Sequence, residues 1–364
     1  MAFARFENLA LLAALSLAGL LLPRHGLADD RFDAFTRKEG PGFAMLVMRD
    51  GKVLESDGFG YADLGRESPI TTKTLFNVSS LTKQFTAAAI KLLERDRKID
   101  LDDRITKYVP GLPEWAKRIR IQHLVHHMSG LPNYTEICKA EGTSTNADVV
   151  TFLSKVPALE FEPGSKYSYS NTGYVLLALV VEKASGVSFE EFLKARIFDP
   201  AGMNQSVALG SRGSSTKGPR SARSDSDSVT AVGYGSWPHF DTRSRNSCDG
   251  VVGDGGVITS IEDYAKWVNI LRTPEGIFTA EEIRDMFQSA ELRSDEEVPY
   301  GYGWALDTFE NEPIIFHDGA WLGYRSVAVH FERQKLWVVL FSNYEQMPTW
   351  DIVRDLLAKH RKAN

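Results

Sequence analysis

The amino-acid sequence predicts an α+β fold: one antiparallel sheet built from N- and C-terminal segments, with flanking helices and an inserted all-helical region. Three observations lead there. Strand-like apolar runs gather at the two ends of the chain, the middle carries apolar residues at helical spacing, and neither an internal repeat nor a linker divides it.

Taken in order, residues 1–28 read as a signal peptide. Arg5 gives a weakly basic start, 9–22 is an uncharged apolar run, and Gly26-Leu27-Ala28 offers small residues for cleavage. The run is shorter than the about 20 residues that a membrane span requires. No cysteine near its end is placed to carry a lipid. The mature chain, 29–364, is therefore expected to be one exported domain, periplasmic or secreted, with no stable membrane span after cleavage.

Residues 43–48 and 53–58 form two apolar-rich runs joined by Asp50-Gly51, a hairpin signature. Residues 70–75 lead into a helix that begins near Ser80. Phe85, Ala89, Leu92 and Leu93 share one stripe of it, and Lys83, Gln84 and Lys91 lie off that stripe. A short helix from Ile121 is stopped by Gly130 and Pro132. Further helices are read over 147–155 and over 175–184, the latter ending at Gly186. Another follows Ser188, where Ser188 and Glu191 make a capping-box pair. Residues 206–228, rich in Ser, Arg, Gly and Asp, read as a mobile surface insertion. A helix over 261–271 precedes strands over 303–308, 313–316, 324–331 and 336–341. A helix over 351–359 closes the chain.

The 364 residues are 43% hydrophobic and 25% charged, ordinary for a globular protein. A net charge of −6 and a pI near 5.8 provide no broad basic surface, so nucleic acid is excluded as a partner and a small molecule or peptide is the default substrate. In an exported protein Cys138 and Cys248 could form a bridge or remain separate thiols; their spacing leaves both readings open. Neither they nor the adjacent His126-His127 has metal-ligand spacing, and no metal site is expected.

Ser80 and Lys83 are three apart at a helix start, so a hydroxyl and an amine share one face about a turn apart. The amine can take or relay the hydroxyl's proton, and the helix dipole favours an oxyanion nearby. Alone, Ser-x-x-Lys far more often marks a capped helix with a solvated lysine, and a second copy at Ser214 to Lys217 lies in the polar insertion. Two further clusters single out Ser80. Tyr169-Ser-Asn171 is the only Tyr-x-Asn in the chain, and His317-Asp-Gly319 the only His-x-Gly, at the end of a strand run. A tyrosine hydroxyl can act as a base if nearby cations lower it from its usual value of about 10. The asparagine carboxamide can orient a lysine or hold a substrate amide. Glycine after His-x lets a substrate backbone approach the strand edge. Each cluster alone also suits a turn or a helix cap; the three in this order do not.

Together they resemble the penicillin-recognising serine hydrolases, the group of class C β-lactamases, D-alanyl-D-alanine carboxypeptidases, D-aminopeptidases and related esterases. The match is to the Ser-x-x-Lys, Tyr-x-Asn and Lys/His-x-Gly elements. Supporting stretches are Leu124-Val-His-His-Met-Ser-Gly-Leu-Pro, Pro163-Gly-Ser-Lys-Tyr-Ser-Tyr-Ser-Asn and Gly255-Gly-Val-Ile-Thr-Ser-Ile-Glu-Asp-Tyr. The resemblance covers about 43–357 and implies a β-lactamase/transpeptidase-like fold, with a single β-lactamase-related serine hydrolase domain over 29–364. It implies Ser80 as the acylated nucleophile and Lys83 with Tyr169 as the acid/base pair. It implies Asn171, His317 and Gly319 as orienting residues, and an oxyanion hole from the backbone N–H groups of Ser80 and Ala320. No metal or organic cofactor is implied. The substrate would be a small ester, amide or peptidoglycan-like peptide, with a β-lactamase, a carboxypeptidase and a non-catalytic binding module as the alternatives. One departure stands out. Class C β-lactamases carry Lys-Thr-Gly where this chain has His-Asp-Gly, and Asp318 is expected to disfavour an anionic β-lactam by like-charge contact.

Overall fold

The computed structural model describes residues 40–138, 144–210, 229–236, 239–243, 247–273 and 276–362. The signal-peptide reading and residues 211–228 of the expected 206–228 insertion, Ser214 included, lie outside the described residues. The insertion begins later than expected, since Ser206 is buried against Asp263 and Val207–Ala208 pair with Ile258 and Val257.

The expected hairpin is β1 (Phe43–Arg49) and β2 (Lys52–Phe59). Asp50 and Gly51 both take positive φ, 50° and 79°, as a tight two-residue turn matched to strand twist requires. The C-terminal strands are β3 (Ala305–Phe309), β4 (Glu312–Trp321), β5 (Tyr324–Phe331) and β6 (Leu336–Ser342). Together they form one six-stranded antiparallel sheet in the order β3-β4-β5-β6-β1-β2. Its closing pair joins the two ends of the chain, Phe43 opposite Ser342 and Arg49 opposite Leu336. β4 outruns its sequence reading by five residues at its C-terminal end. Pairing with β3 stops at Phe316, so among the described residues the backbone from His317 to Trp321 has no partner strand on that side. Pairing with β5 continues to Trp321.

β1 is apolar on both faces because the sheet is covered on both. Phe43, Met45 and Val47 pack with Val327, Val329 and the inner face of α8 (Thr349–His360), notably Val353 and Leu356. Ala44, Leu46 and Met48 face the main core, shared with α1 (Thr82–Arg95) and α6 (Ile261–Ile270). The inserted helical region consists of α2 (Ile121–Val125), α3 (Asn146–Leu153), α4 (Asn171–Ser185) and α5 (Phe189–Leu193), with α7 (Ala280–Met286) following α6.

α1 is central, and that corrects the amphipathic reading of its sequence. Lys83, Gln84 and Lys91 are buried along with the apolar stripe. Buried polar groups need partners; the two lysines have theirs and Gln84 has them at its oxygen, while its Nε2 has none among the described residues. Gln84 Oε1 accepts from Tyr264 and Trp267, while Lys91 pairs with Glu94 and Asp285. Cys138 and Cys248 form a disulfide across 110 residues, which decides the point left open by their spacing.

Candidate active site

Ser80 sits where a short strand turns into a helix. Phe76 and Asn77 pair with Thr259 and Ile258. A 3-10 turn over Ser79–Leu81 then leads directly into α1. Ser79 takes a φ of +51°, unusual for a residue with a side chain, and Asn77 Oδ1 accepts its backbone N–H. Ser79 belongs to the bend that presents Ser80.

Lys83, one turn on, is fully buried. Its Nζ lies 3.1 Å from Ser80 Oγ, 2.8 Å from Asn171 Oδ1 and 2.9 Å from the carbonyl oxygen of Asp254. Burial lowers its pKa to about 8, against the opposing charges of Asp254 and Asp318.

Tyr169 and Asn171 are placed by the start of α4. Ser170 caps that helix, its Oγ accepting from Gly173 N–H at 3.4 Å, and its own N–H donates to His127 Nδ1. Asn171 is thereby the first helical residue and turns its carboxamide to Lys83. Tyr169, just before the cap, lays its ring 4.3 Å from that of His127 and 5.0 Å from Lys83 Nζ. The residue is 37% exposed, and its hydroxyl is hydrogen-bonded with Ser80. Desolvation, with the Asp318 and Asp254 charges, pushes the phenol well above the usual tyrosine range, although the Ser80 hydrogen bond opposes the shift. The condition set for Tyr169 as a base, a phenol lowered by nearby cations, is not met, because desolvation outweighs them.

β4 supplies the other wall. Alternate residues of a strand share a face, so His317, Gly319 and Trp321 look towards the nucleophile while Asp318 and Ala320 look away. A Cβ at Gly319 would meet Ser326 Oγ at 2.4 Å and Val78 O at 2.9 Å, so glycine is what permits the approach of the Ser80 turn. Ala320 is exposed on the unpaired edge. His317 is buried between two partners: Nδ1 is 2.6 Å from the Asp318 carbonyl oxygen and Nε2 is 3.0 Å from Tyr300 Oη. Burial and the neighbouring Lys83 hold its pKa at about 3. The imidazole is therefore neutral, donating from Nδ1 to the carbonyl and accepting the Tyr300 proton at Nε2.

Asp318 is not where the motif comparison put it. Its side chain reaches the far face of the sheet, where it is hydrogen-bonded with Trp350 of α8 and lies near Arg325. Its charge acts on the site only through the strand.

The structure thus brings Ser80, Lys83, Tyr169, Asn171, His317 and Gly319 to one place, with Ala320 on the adjoining edge. Sequence reasoning missed Asp254, Tyr300 and Tyr174. None of the three belongs to a motif whose spacing announces a role. Among the described residues no group of three or more acidic, His or Cys side chains could hold a metal ion.

The Beta-lactamase family profile matches residues 28–361. The chain belongs to that family. It is 32% identical to penicillin-binding protein 4* of Bacillus subtilis (strain 168) over 322 residues, 86% of this chain and 71% of that protein. It is 28% identical to a D-aminopeptidase of Gluconobacter oxydans (strain 621H) over 317 residues, 85% of this chain. The chain spans only 57% of that D-aminopeptidase's length. Among solved structures, the octameric penicillin-binding protein homologue from Pyrococcus abyssi superposes with a TM-score of 0.75 at 26% identity, covering 92% of this chain and 77% of that one. D-amino acid amidase from Ochrobactrum anthropi SV3 gives 0.70 at 26% identity, covering 87% and 95%. Membership of the beta-lactamase family makes this chain a serine hydrolase.

Proposed function

We propose that this beta-lactamase-family hydrolase cleaves small amides and esters, including amides of D-amino acids, through an acyl-enzyme on Ser80 with Lys83 as general base. The observation that carries the reading is the set of three oxygens around Lys83 Nζ. Asn171 Oδ1 and the Asp254 carbonyl can only accept, so they take two of the lysine's protons. In the neutral amine the lone pair is then left facing Ser80 Oγ. A pKa near 8 makes that neutral form accessible close to neutral pH, whereas the raised Tyr169 phenol resists ionisation.

The reaction follows from these placements. Ser80 Oγ attacks the substrate carbonyl as its proton passes to Lys83, and the oxyanion is met by the backbone N–H groups of Ser80 and Ala320. Tyr169, hydrogen-bonded with Ser80, hands a proton to the leaving amine or alcohol and is restored from Lys83. Water, deprotonated by the same pair, then releases the acid. Gly319 and the open β4 edge admit the substrate backbone. Substrate choice follows from charge. A neutral His317 stands where a lysine would hold a carboxylate, so uncharged esters and amino-acid amides are favoured over β-lactams and over C-terminal carboxylates. D-aminopeptidase and D-amino acid amidase among the similar proteins support the amide class.

The test is a panel on the purified chain: short-chain p-nitrophenyl esters, D- and L-alanine amides, a D-alanyl-D-alanine peptide and a chromogenic cephalosporin, each with parent and Ser80→Ala. Ester or D-amide turnover abolished by the substitution is expected. Cephalosporin turnover faster than both would overturn the substrate assignment. Export with cleavage after Ala28 is part of the proposal, and N-terminal sequencing of the secreted protein tests it; a chain still starting at Met1 contradicts it.

A further inference from the structure

We propose that the Asp254 carboxylate, held by the Tyr134 hydroxyl behind the nucleophile, is a positioning residue that governs the charge state of Lys83. The proposal rests on the reading of Lys83 as the base for Ser80. Asp254 touches Lys83 through its backbone, the carbonyl accepting from Nζ at 2.9 Å. Its side chain has a separate arrangement. Oδ2 accepts from Tyr134 Oη at 3.0 Å, whereas Oδ1 is buried with no hydrogen-bond partner among the described residues. Burial disfavours the ionised carboxylate and raises its pKa; Lys83 is the foremost influence in the other direction, followed by the Tyr134 hydroxyl and the backbone N–H groups of Asp254 and Gly255.

The segment has little freedom to move away. Thr86 Oγ1 of α1 donates to the Gly253 carbonyl at 2.6 Å, and Val257 N–H donates to Thr82 Oγ1 at 3.0 Å. The Asn146 carboxamide bonds both the N–H and the carbonyl of Val252. Tyr134 is fixed in turn, its N–H donating to Thr172 Oγ1 on α4 at 2.8 Å.

The other groups facing Lys83 do not substitute for Asp254. Tyr169 and Tyr174 lie 5.0 Å and 5.7 Å from Nζ by their ring centres, both phenols raised by burial. His127 beyond α2 and His317 on β4 are kept neutral by burial and by Lys83 itself. Asp318 acts from the far face of β4, and of the two acidic influences on Lys83 that of Asp254 is the larger. Asp254 in its turn is faced by Lys83 and Tyr134, and its charge also reaches Tyr169.

The consequence is reciprocal. The carboxylate favours the ammonium, so it offsets the positive charge that appears on Lys83 when Ser80 gives up its proton. It also sets the acidity at which the free enzyme becomes competent. The experiment is the pH profile of Ser80 acylation in the full chain, followed with a fluorophosphonate probe and with kcat/KM on p-nitrophenyl acetate. In the parent, both should rise through the pH where Lys83 loses its proton, near 8. Asp254→Asn should move that midpoint down by about one unit, so relative activity at pH 6 rises. Asp254→Glu, which keeps the charge, should restore it towards the parent. Tyr134→Phe, which leaves the carboxylate less stabilised, should shift the midpoint the same way by less, and it carries the test should Asp254→Asn fail to fold. An unmoved midpoint in the folded variants, with only the plateau or the Tm changed, would overturn the proposal. Absence of any adduct on Ser80 in the parent would instead overturn the underlying assignment of Ser80 and Lys83.

Discussion

Gly319 and Ser79 meet back to back: a Cβ added to Gly319 would stand 2.9 Å from the Cβ of Ser79. That contact sets the separation between the sheet and the turn presenting Ser80, and Ser326 Oγ, donating to Val78 O at 2.8 Å, ties the same turn to β5. Gly319→Ala should therefore push the Ser80 turn off the strand. Acylation is expected to fall by at least about a hundredfold, the scale for misplaced reacting groups. Labelling kinetics alongside a thermal melt check this, and a variant labelled at the parent rate would contradict the packing described.

Ser79 and Ser80 are adjacent, yet only Ser80 is within reach of Lys83 Nζ. Ser79 Oγ is buried without a hydrogen-bond partner among the described residues. Ser80→Ala should abolish covalent labelling, while Ser79→Ala and Ser214→Ala should keep most of it. Because Ser79 has a positive φ, Ser79→Gly should cost little stability or add to it. Mass spectrometry of the digested adduct decides, and a label on a peptide lacking Ser80 would sink the assignment.

Lys83 and Tyr169 both hydrogen-bond with Ser80. Lys83→Ala and Tyr169→Phe should each slow acylation by orders of magnitude. The double variant should lose far less than the product of the two, since the residues serve one proton path. Rate effects that multiply in the double-mutant cycle would show that they act independently.

The disulfide ties Cys138, four residues after Tyr134, to Cys248, beside Asp249, which accepts from Trp321 Nε1 at the end of β4. It therefore braces two walls of the site. Closing a loop of 110 residues corresponds to at most roughly 4–5 kcal/mol in the chain-entropy account. The Cys138→Ala, Cys248→Ala double variant should melt well below the parent, and a reducing agent should lower only the parent. Equal melting temperatures would contradict the bridge.

Five histidines whose pKa values are depressed make the fold acid-sensitive, among them His127, held well below its usual value by burial and Lys83. Burial holds His123, His126 and His330 at about 4, and His317 at about 3. An unfolded histidine takes its proton near 6.5. Below that value the unfolded chain binds more protons than the folded one, so stability falls with pH from about 6.5 to about 4. Each such histidine costs at most about 1.4 kcal/mol per pH unit in that window. Melting temperatures taken across pH 7.5 to 5 should drop steadily below 6.5, and a flat profile would refute it.

The parts of this site that the sequence made legible are those set by local geometry. Ser80 and Lys83 sit one turn apart because a helix imposes it, and the β1–β2 hairpin follows from Asp50-Gly51 at positive φ. Contacts between distant segments left no such trace. Asp254 meets Lys83 across 171 residues of sequence, and nothing in the spacing of either announces it. The Tyr169 phenol went the wrong way for a related reason. Its desolvation depends on His127, Tyr300 and the rest of a ring cluster drawn from separate elements. Asp318 was misplaced because the strand was taken to end at Phe316. Extended through His317, the alternation alone would have turned it away.

The pairing of β1 with β6 has a consequence for how the molecule is made. Gly42 and Asn343 are hydrogen-bonded across 301 residues, and β1, apolar on both faces, precedes its partner β6 by most of the described chain. Until β4, β5 and β6 have been made, the β1–β2 hairpin lacks its neighbour on one side, and the nucleophile turn has no β4 to lean on. The sheet therefore closes late, with slow non-local pairing as the expected kinetics. The nascent chain meanwhile presents an uncapped strand edge that other polypeptides can pair with.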